Sequence, residues 1–132
     1  MKPSLMAWED IHRLAEMACK HFALQWPIKI EPLTTEHARC PWQYGECVVN
    51  HCTTCSCQPV IRLRLRNGRP LKRAAIIAVL AHELAHLKQL RHGPAHAELT
   101  RAIALFFEAA GYPYTPHMLI IARKTKKKVK GT

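Results

Sequence analysis

The chain has few acidic residues and no long apolar run. Its 132 residues include 9 Asp and Glu against 20 Lys and Arg. The longest strongly apolar run, residues 74–81, is far shorter than the roughly 20 residues that a membrane-spanning helix needs. Near the amino end, Glu9 and Asp10 interrupt the sequence before an apolar signal segment can form. We therefore expect no membrane span and a cytoplasmic protein whose six cysteines are reduced.

The net charge of +11 is unevenly distributed along the chain. We expect residues 1–122 to form one domain and residues 123–132 to form a basic tail. The tail contains no aromatic residue, which argues against stacking on nucleic-acid bases. Two interpretations remain open for it, a solvated extension and a weak, non-specific attraction to nucleic acid. Its basic residues are Arg123, Lys124, Lys126, Lys127, Lys128 and Lys130.

The first half of the chain predicts one helix and two strands. Helical spacing of apolar residues from Leu5 to Phe22 indicates an amphipathic helix that Pro27 closes, with Cys19 in the core. Residues 28–33 then read as a short strand. Residues 60–66 give the clearest strand, because Ile, Leu and Arg alternate along it.

The second half of the chain predicts two helices. Residues 71–90 are apolar on most of their surface, which indicates a largely buried helix that Gly93 and Pro94 end. A last helix over residues 95–111 has one apolar face, formed by Leu99, Ile103, Phe106 and Ala110. The fold class is therefore α+β: an N-terminal helix, a small antiparallel or mixed sheet, a buried helix and a C-terminal helix.

The buried helix contains the sequence HELAHLKQLRH, residues 82–92. His82 and His86 are four residues apart, so their imidazoles project from one face and can reach the same metal ion. Glu83 is rotated away from that face and cannot easily be a ligand. It can instead accept a proton from water as a general base.

A catalytic zinc usually has three protein ligands, so a third is needed. The candidates are His92, His96, Glu98 and Glu108. We favour His92, because the chain can turn back at residues 93–94 if the helix ends by about residue 90.

The cysteines raise the question of a second metal site. Cys52 and Cys55 have the CxxC spacing that chelates zinc when another pair of ligands is near, and Cys47, His51 or Cys57 could complete the set. A structural zinc, reduced thiols and disulfides all remain open, because no second CxxC pair is present.

Residues 82–96, HELAHLKQLRHGPAH, resemble the active-site signature of the SprT-like, WLM and YgjP-like zinc metallopeptidase group. Residues 60–86 also resemble the strand, turn and helix that lead into that signature, and the match extends over about residues 38–108. The resemblance implies a minimal zincin-like domain, with His82, His86 and His92 as zinc ligands and Glu83 as catalytic base. This sequence has His96 where the pattern has an aromatic residue.

These observations favour a zinc-dependent peptidase that acts on a protein or peptide substrate. The edge of the strand at residues 60–66 could align that substrate by strand addition. Tyr112, Tyr114 or an arginine are candidates for stabilising the oxyanion. The alternatives are a non-catalytic, zinc-stabilised module that binds nucleic acid, and a related zinc hydrolase acting on a non-peptide substrate.

Overall fold

A computed structural model describes residues 6–34, 43–49, 58–66, 71–116 and 118–119. The basic tail at 123–132 and three of the clustered cysteines, Cys52, Cys55 and Cys57, lie outside these ranges. None of the described helices is long and apolar enough to cross a membrane. The α+β class is confirmed, with the order α1 (Trp8–His21), β1 (Lys29–Pro32), β2 (Gly45–Val48), β3 (Val60–Leu63), α2 (Arg73–Ala85) and α3 (Pro94–Ala109).

The three strands form a mixed sheet in which β3 is central. Strand β1 pairs with β3 in parallel, with Ile30 opposite Ile61. Strand β2 pairs with β3 in antiparallel, with Cys47 opposite the same Ile61. The expectation that the strand at 60–66 offers an open edge is therefore wrong, because both of its sides are hydrogen-bonded. Among the residues that the structure describes, the edges of this sheet are β1 and β2.

The central strand buries one face and carries a cation on the other. Ile61 and Leu63 are buried in the core, whereas Arg62 lies between two carboxylates on neighbouring strands. Its guanidinium donates to Glu46 of β2 and, at 2.7 Å, to Glu31 of β1. These hydrogen bonds raise the pKa of Arg62 above its ordinary value, so the side chain stays charged. Arg62 of β3 therefore links β1 and β2 through its bonds to Glu31 and Glu46.

We predict that Arg62→Met destabilises the fold by about 1–2 kcal/mol, because it removes two charge-assisted hydrogen bonds and leaves two carboxylates close together. Urea unfolding followed by circular dichroism measures the difference. Lys20→Met is the matched control, since the ion pair of Lys20 with Glu16 is solvent-exposed and should contribute little. Equal unfolding midpoints for Arg62→Met and the parent would contradict the prediction.

Helix α1 ends earlier than the sequence suggested. Ala23 takes a left-handed conformation with φ of 57°, and the Leu24 amide donates to the Cys19 carbonyl at 2.8 Å. This is the geometry that commonly terminates helices, although glycine is the usual residue there. The helix has therefore ended at His21, and Pro27 does not close it as expected.

Cys19 is buried in the core, as predicted. Burial raises the pKa of its thiol to about 12, because the thiolate would lose its hydration.

We predict that iodoacetamide at pH 8 leaves Cys19 unmodified in the folded protein and modifies it in denaturant. The reactive species is the thiolate, and the folded protein keeps Cys19 protonated until the pH approaches about 12. Peptide mass spectrometry after labelling makes the comparison at this single position. The unfolded chain loses this proton at a lower pH, so the burial of Cys19 also makes stability fall as the pH rises towards 12. Equal labelling in both states would show that Cys19 is accessible.

Helix α2 is enclosed by the rest of the molecule, with every residue from 76 to 85 buried. It ends at Ala85, five residues before the predicted end, because the backbone tightens at His86. The His86 amide donates to the carbonyls of Glu83 and Leu84, and the next two amides likewise donate three residues back. This tighter turn is a common way to finish a helix.

Helix α3 begins at Pro94 and ends just before Gly111, whose φ is 98°. Its buried face differs from the predicted one. Leu99 and Phe106 are half-buried and Ala110 is exposed, so of the predicted face only Ile103 is fully buried. The buried residues are His96, Thr100, Ile103, Ala104 and Phe107. Two of these buried residues, His96 and Thr100, are polar, so a pattern of apolar residues does not reveal this face.

One apolar core joins the three helices to β1 and β3. Cys47 of β2 packs partly against it. The domain limits of 1–122 stay a prediction.

Candidate metal centre

Four histidines converge at the end of α2. Helix α2 supplies His82, and His86 caps it. His92 comes from the loop that follows, and His96 from the first turn of α3. Their candidate ligand atoms all lie within 4.8 Å of one another, with three of the side chains buried and His92 half-buried. These residues lie close enough together to bind a metal ion.

The Nε2 atom of His92 lies close to the Nε2 atoms of two other histidines. His92 Nε2 lies 3.1 Å from His86 Nε2 and 3.1 Å from His82 Nε2. Nitrogens bound to one metal ion at about 2.0–2.1 Å in tetrahedral geometry are roughly 3.3 Å apart. Both observed distances are close to that value, so His92 lies at ligand spacing from each of the other two rings.

The hydrogen bond at the other side of the His86 ring supports this interpretation. His86 Nδ1 lies 2.9 Å from the Gln89 carbonyl oxygen. A carbonyl only accepts, so Nδ1 carries the proton and a neutral ring has its lone pair on Nε2. That lone pair lies on the nitrogen next to His92. Metal-binding histidines are typically oriented by such a bond to a backbone carbonyl.

His96 differs from the other three. Its Nε2 lies 3.0 Å from the His82 carbonyl oxygen and 3.5 Å from Thr100 Oγ1. Because the carbonyl needs a donor, Nε2 carries a proton and is not available to a metal. The ring stacks on His86 with centroids 4.1 Å apart. Only Nδ1 of His96 could therefore act as a ligand.

The acidic candidates for a third ligand lie elsewhere. Glu98 and Glu108 are both exposed on α3, and within the described residues no carboxylate joins the histidine cluster. Cys47 is half-buried on β2 and packs against the core. A second metal site formed by Cys47, Cys52, Cys55 and Cys57 stays a prediction.

Glu83 is buried, with 5% of its surface exposed, and packs against the backbone of β2. The contact is with Gly45, at the start of that strand. A Cβ atom at position 45 would lie 3.0 Å from Glu83 Oε2 and 2.9 Å from Val79 Cγ1. These distances are shorter than ordinary carbon contacts, so only glycine lets the strand come this close to the carboxylate.

The pairing of β2 places the polar backbone groups of Gly45 at the sheet edge. The Arg64 amide donates to the Tyr44 carbonyl at 2.8 Å, one residue outside the Gly45–Leu63 pair. In an antiparallel ladder this makes Gly45–Leu63 a non-hydrogen-bonded pair, so the amide and carbonyl of Gly45 point away from β3. The carbonyl accepts a bond of 3.1 Å from Gln43 Nε2. In the part of the chain that the structure describes, no further strand pairs with β2.

A cavity of about 360 Å³ adjoins the histidines. Among the described residues that line the cavity, Arg101 carries the one formal charge. Tyr114, in the segment after α3, also lines the cavity. Tyr112 instead lies beside α1, where its hydroxyl accepts a 3.2 Å bond from Arg13. The remaining walls of the cavity are formed by His82, His96, Ala97, Thr100, Leu105, Pro116 and Leu119.

No family model, curated protein or solved structure matches this chain. The likeness of residues 82–96 to the SprT-like, WLM and YgjP-like group therefore rests on the motif alone.

Sequence reasoning identified the histidines and Glu83, but it missed the residues around them. Gln89 acts through its backbone carbonyl, Thr100 through its hydroxyl and Gly45 through the absence of a side chain, and they belong to no motif with a fixed spacing. Gly93 was expected to provide the turn that returns His92. Its backbone is extended and a Cβ there would meet nothing within 4 Å, so the turn does not depend on glycine.

We predict that His92→Ala lowers the affinity for zinc by more than the roughly 10–100-fold caused by loss of an outer hydrogen-bond partner. The reason is that one of the three converging nitrogens is removed. Metal content by mass spectrometry and competition with a chelator give the measurement. His12→Ala, an exposed histidine on α1, is the control. Full zinc occupancy in His92→Ala would refute its assignment as a ligand.

Proposed function

We propose that this protein is a zinc-dependent metallopeptidase, in which His82, His86 and His92 hold the zinc and Glu83 is the general base. The observation that carries the proposal is the position of His92 Nε2, which lies 3.1 Å from the Nε2 atoms of both His82 and His86. A buried carboxylate follows directly after the first of these histidines. The motif resemblance agrees with this assignment.

The donor set favours zinc. Three neutral imidazoles and a position left for water are the usual arrangement of a catalytic zinc site, whereas structural zinc sites are closed by four protein ligands. The protonated Nε2 of His96 argues against a fourth histidine acting through that atom. A bound zinc ion would polarise a substrate carbonyl and lower the pKa of water to about 7.

Glu83 performs the proton transfers in this proposal. Its carboxylate accepts a proton from the water whose oxygen attacks the carbonyl carbon. It then gives that proton to the amide nitrogen as the carbon–nitrogen bond breaks. Burial against Gly45 restricts where the carboxylate can lie.

The surroundings of the site provide places for a polypeptide. Strand β2 is the edge next to Glu83, and the Gly45 amide points outwards from it, so an extended chain could align there by strand addition. The cavity beside His82 has mainly apolar walls and accommodates one side chain of such a substrate. The outward-pointing amide at the edge of β2 favours a peptide as the substrate.

We predict that Glu83→Gln folds and binds zinc like the parent but hydrolyses substrate slower by a factor on the order of 10² or more. Glutamine keeps the shape of the side chain and removes the basic oxygen. Cleavage of casein and self-cleavage, followed by mass spectrometry, are suitable first assays. Glu98→Gln, on the exposed surface of α3, is the matched control.

An unchanged cleavage rate in Glu83→Gln would exclude the proposed mechanism. Two alternatives are tested alongside it. Hydrolysis of esters or other non-peptide substrates without peptide cleavage would indicate a related zinc hydrolase. A zinc-loaded parent that hydrolyses nothing and binds nucleic acid would indicate a non-catalytic module, in which the basic tail from Arg123 to Lys130 is a predicted contributor.

A further inference from the structure

We infer that His96 is a positioning residue of the metal centre, which holds the His82 carbonyl and is not itself a ligand. The inference rests on the metal centre proposed above and is independent of peptidase activity. It assigns a separate role to the one histidine of the cluster that the mechanism does not use.

The end of α2 explains why a donor is needed at this carbonyl. In a regular α-helix the His86 amide would donate to the carbonyl four residues back, which belongs to His82. Here that amide donates to Glu83 and Leu84 instead. The His82 carbonyl accepts from His96 Nε2 at 3.0 Å. A side chain of α3 thus donates to a backbone carbonyl in the tightened last turn of α2.

The burial of both partners makes this bond consequential. His96 has 1% of its surface exposed and His82 has 3%. Water is therefore a poor substitute for the imidazole donor, and a buried carbonyl without a donor is costly. The bond joins the backbone of one ligand to the first turn of α3, which follows directly after His92.

The ring of His96 constrains a second ligand through its face. It stacks on His86 with centroids 4.1 Å apart and an interplanar angle of 26°. It also meets His82 edge-on, with centroids 4.6 Å apart. One side chain therefore fixes the backbone of His82 and the ring plane of His86. Its Nε2 is engaged by the carbonyl, which leaves only Nδ1 able to bind an ion, and the described contacts of the ring are with the other histidines.

The test compares His96→Gln, which keeps an N–H donor, with His96→Phe, which keeps a ring but has no donor. Affinity for zinc is measured by chelator competition, and the visible spectrum of the Co²⁺-loaded protein reports the ligand set. We expect His96→Gln to stay within a few-fold of the parent with an unchanged spectrum. We expect His96→Phe to bind zinc about 10–100-fold more weakly. Thr100→Val is the control, since Thr100 Oγ1 is 3.5 Å from the same nitrogen and should matter little.

Two outcomes would overturn the inference. His96→Phe with the zinc affinity of the parent would show that the bond does not position the ligands. Equal losses in His96→Gln and His96→Phe, with altered Co²⁺ spectra, would show that His96 is a ligand. Circular dichroism of the metal-free variants reports folding. A folded His96→Gln with parental affinity supports the inference even where His96→Phe fails to fold.

Discussion

The site depends on helix α2 ending at Ala85. A helix that continued to His92 would carry that residue about 9 Å along the axis from His86, yet their Nε2 atoms are 3.1 Å apart. The tightened turn at residues 86–88 allows the loop to reverse, and α3 then runs back against α2. The histidine cluster, the cavity and the packing of α3 all follow from this one change of direction.

Much of the fold could be predicted from local pattern. The helices at residues 8–21 and 94–109 and the alternation of Ile61, Arg62 and Leu63 are visible in the sequence, because each follows from a single repeating period. Strand β2 could not be found in this way. Its four residues, GECV, show no alternation, and it forms only because β3 and α2 offer it a place to pair and pack. Non-local pairing of this kind leaves little trace in a short segment.

The candidate metal-binding residues could be predicted from the sequence, but the packing around them could not. The spacing of His82 and His86 indicated a shared ligand face, and the structure brings both beside His92. The buried face of α3 was predicted wrongly, because an apolar pattern passes over His96 and Thr100. Polar side chains on a buried face break the ordinary rule, and such exceptions are expected where function rather than stability selects the residue.

The close approach of Gly45 to Glu83 shows that the HExxH motif does not include every residue that shapes the site. A pattern written as HExxH spans five consecutive positions, yet the space that the glutamate occupies is set by a backbone 38 positions earlier in the chain. Two chains with the same five letters would differ in chemistry if one had a side chain at the equivalent of position 45. A description of this arrangement therefore needs the glycine of the neighbouring edge strand as well as the five letters. Short motifs in general describe the reactive groups and omit the empty space those groups require.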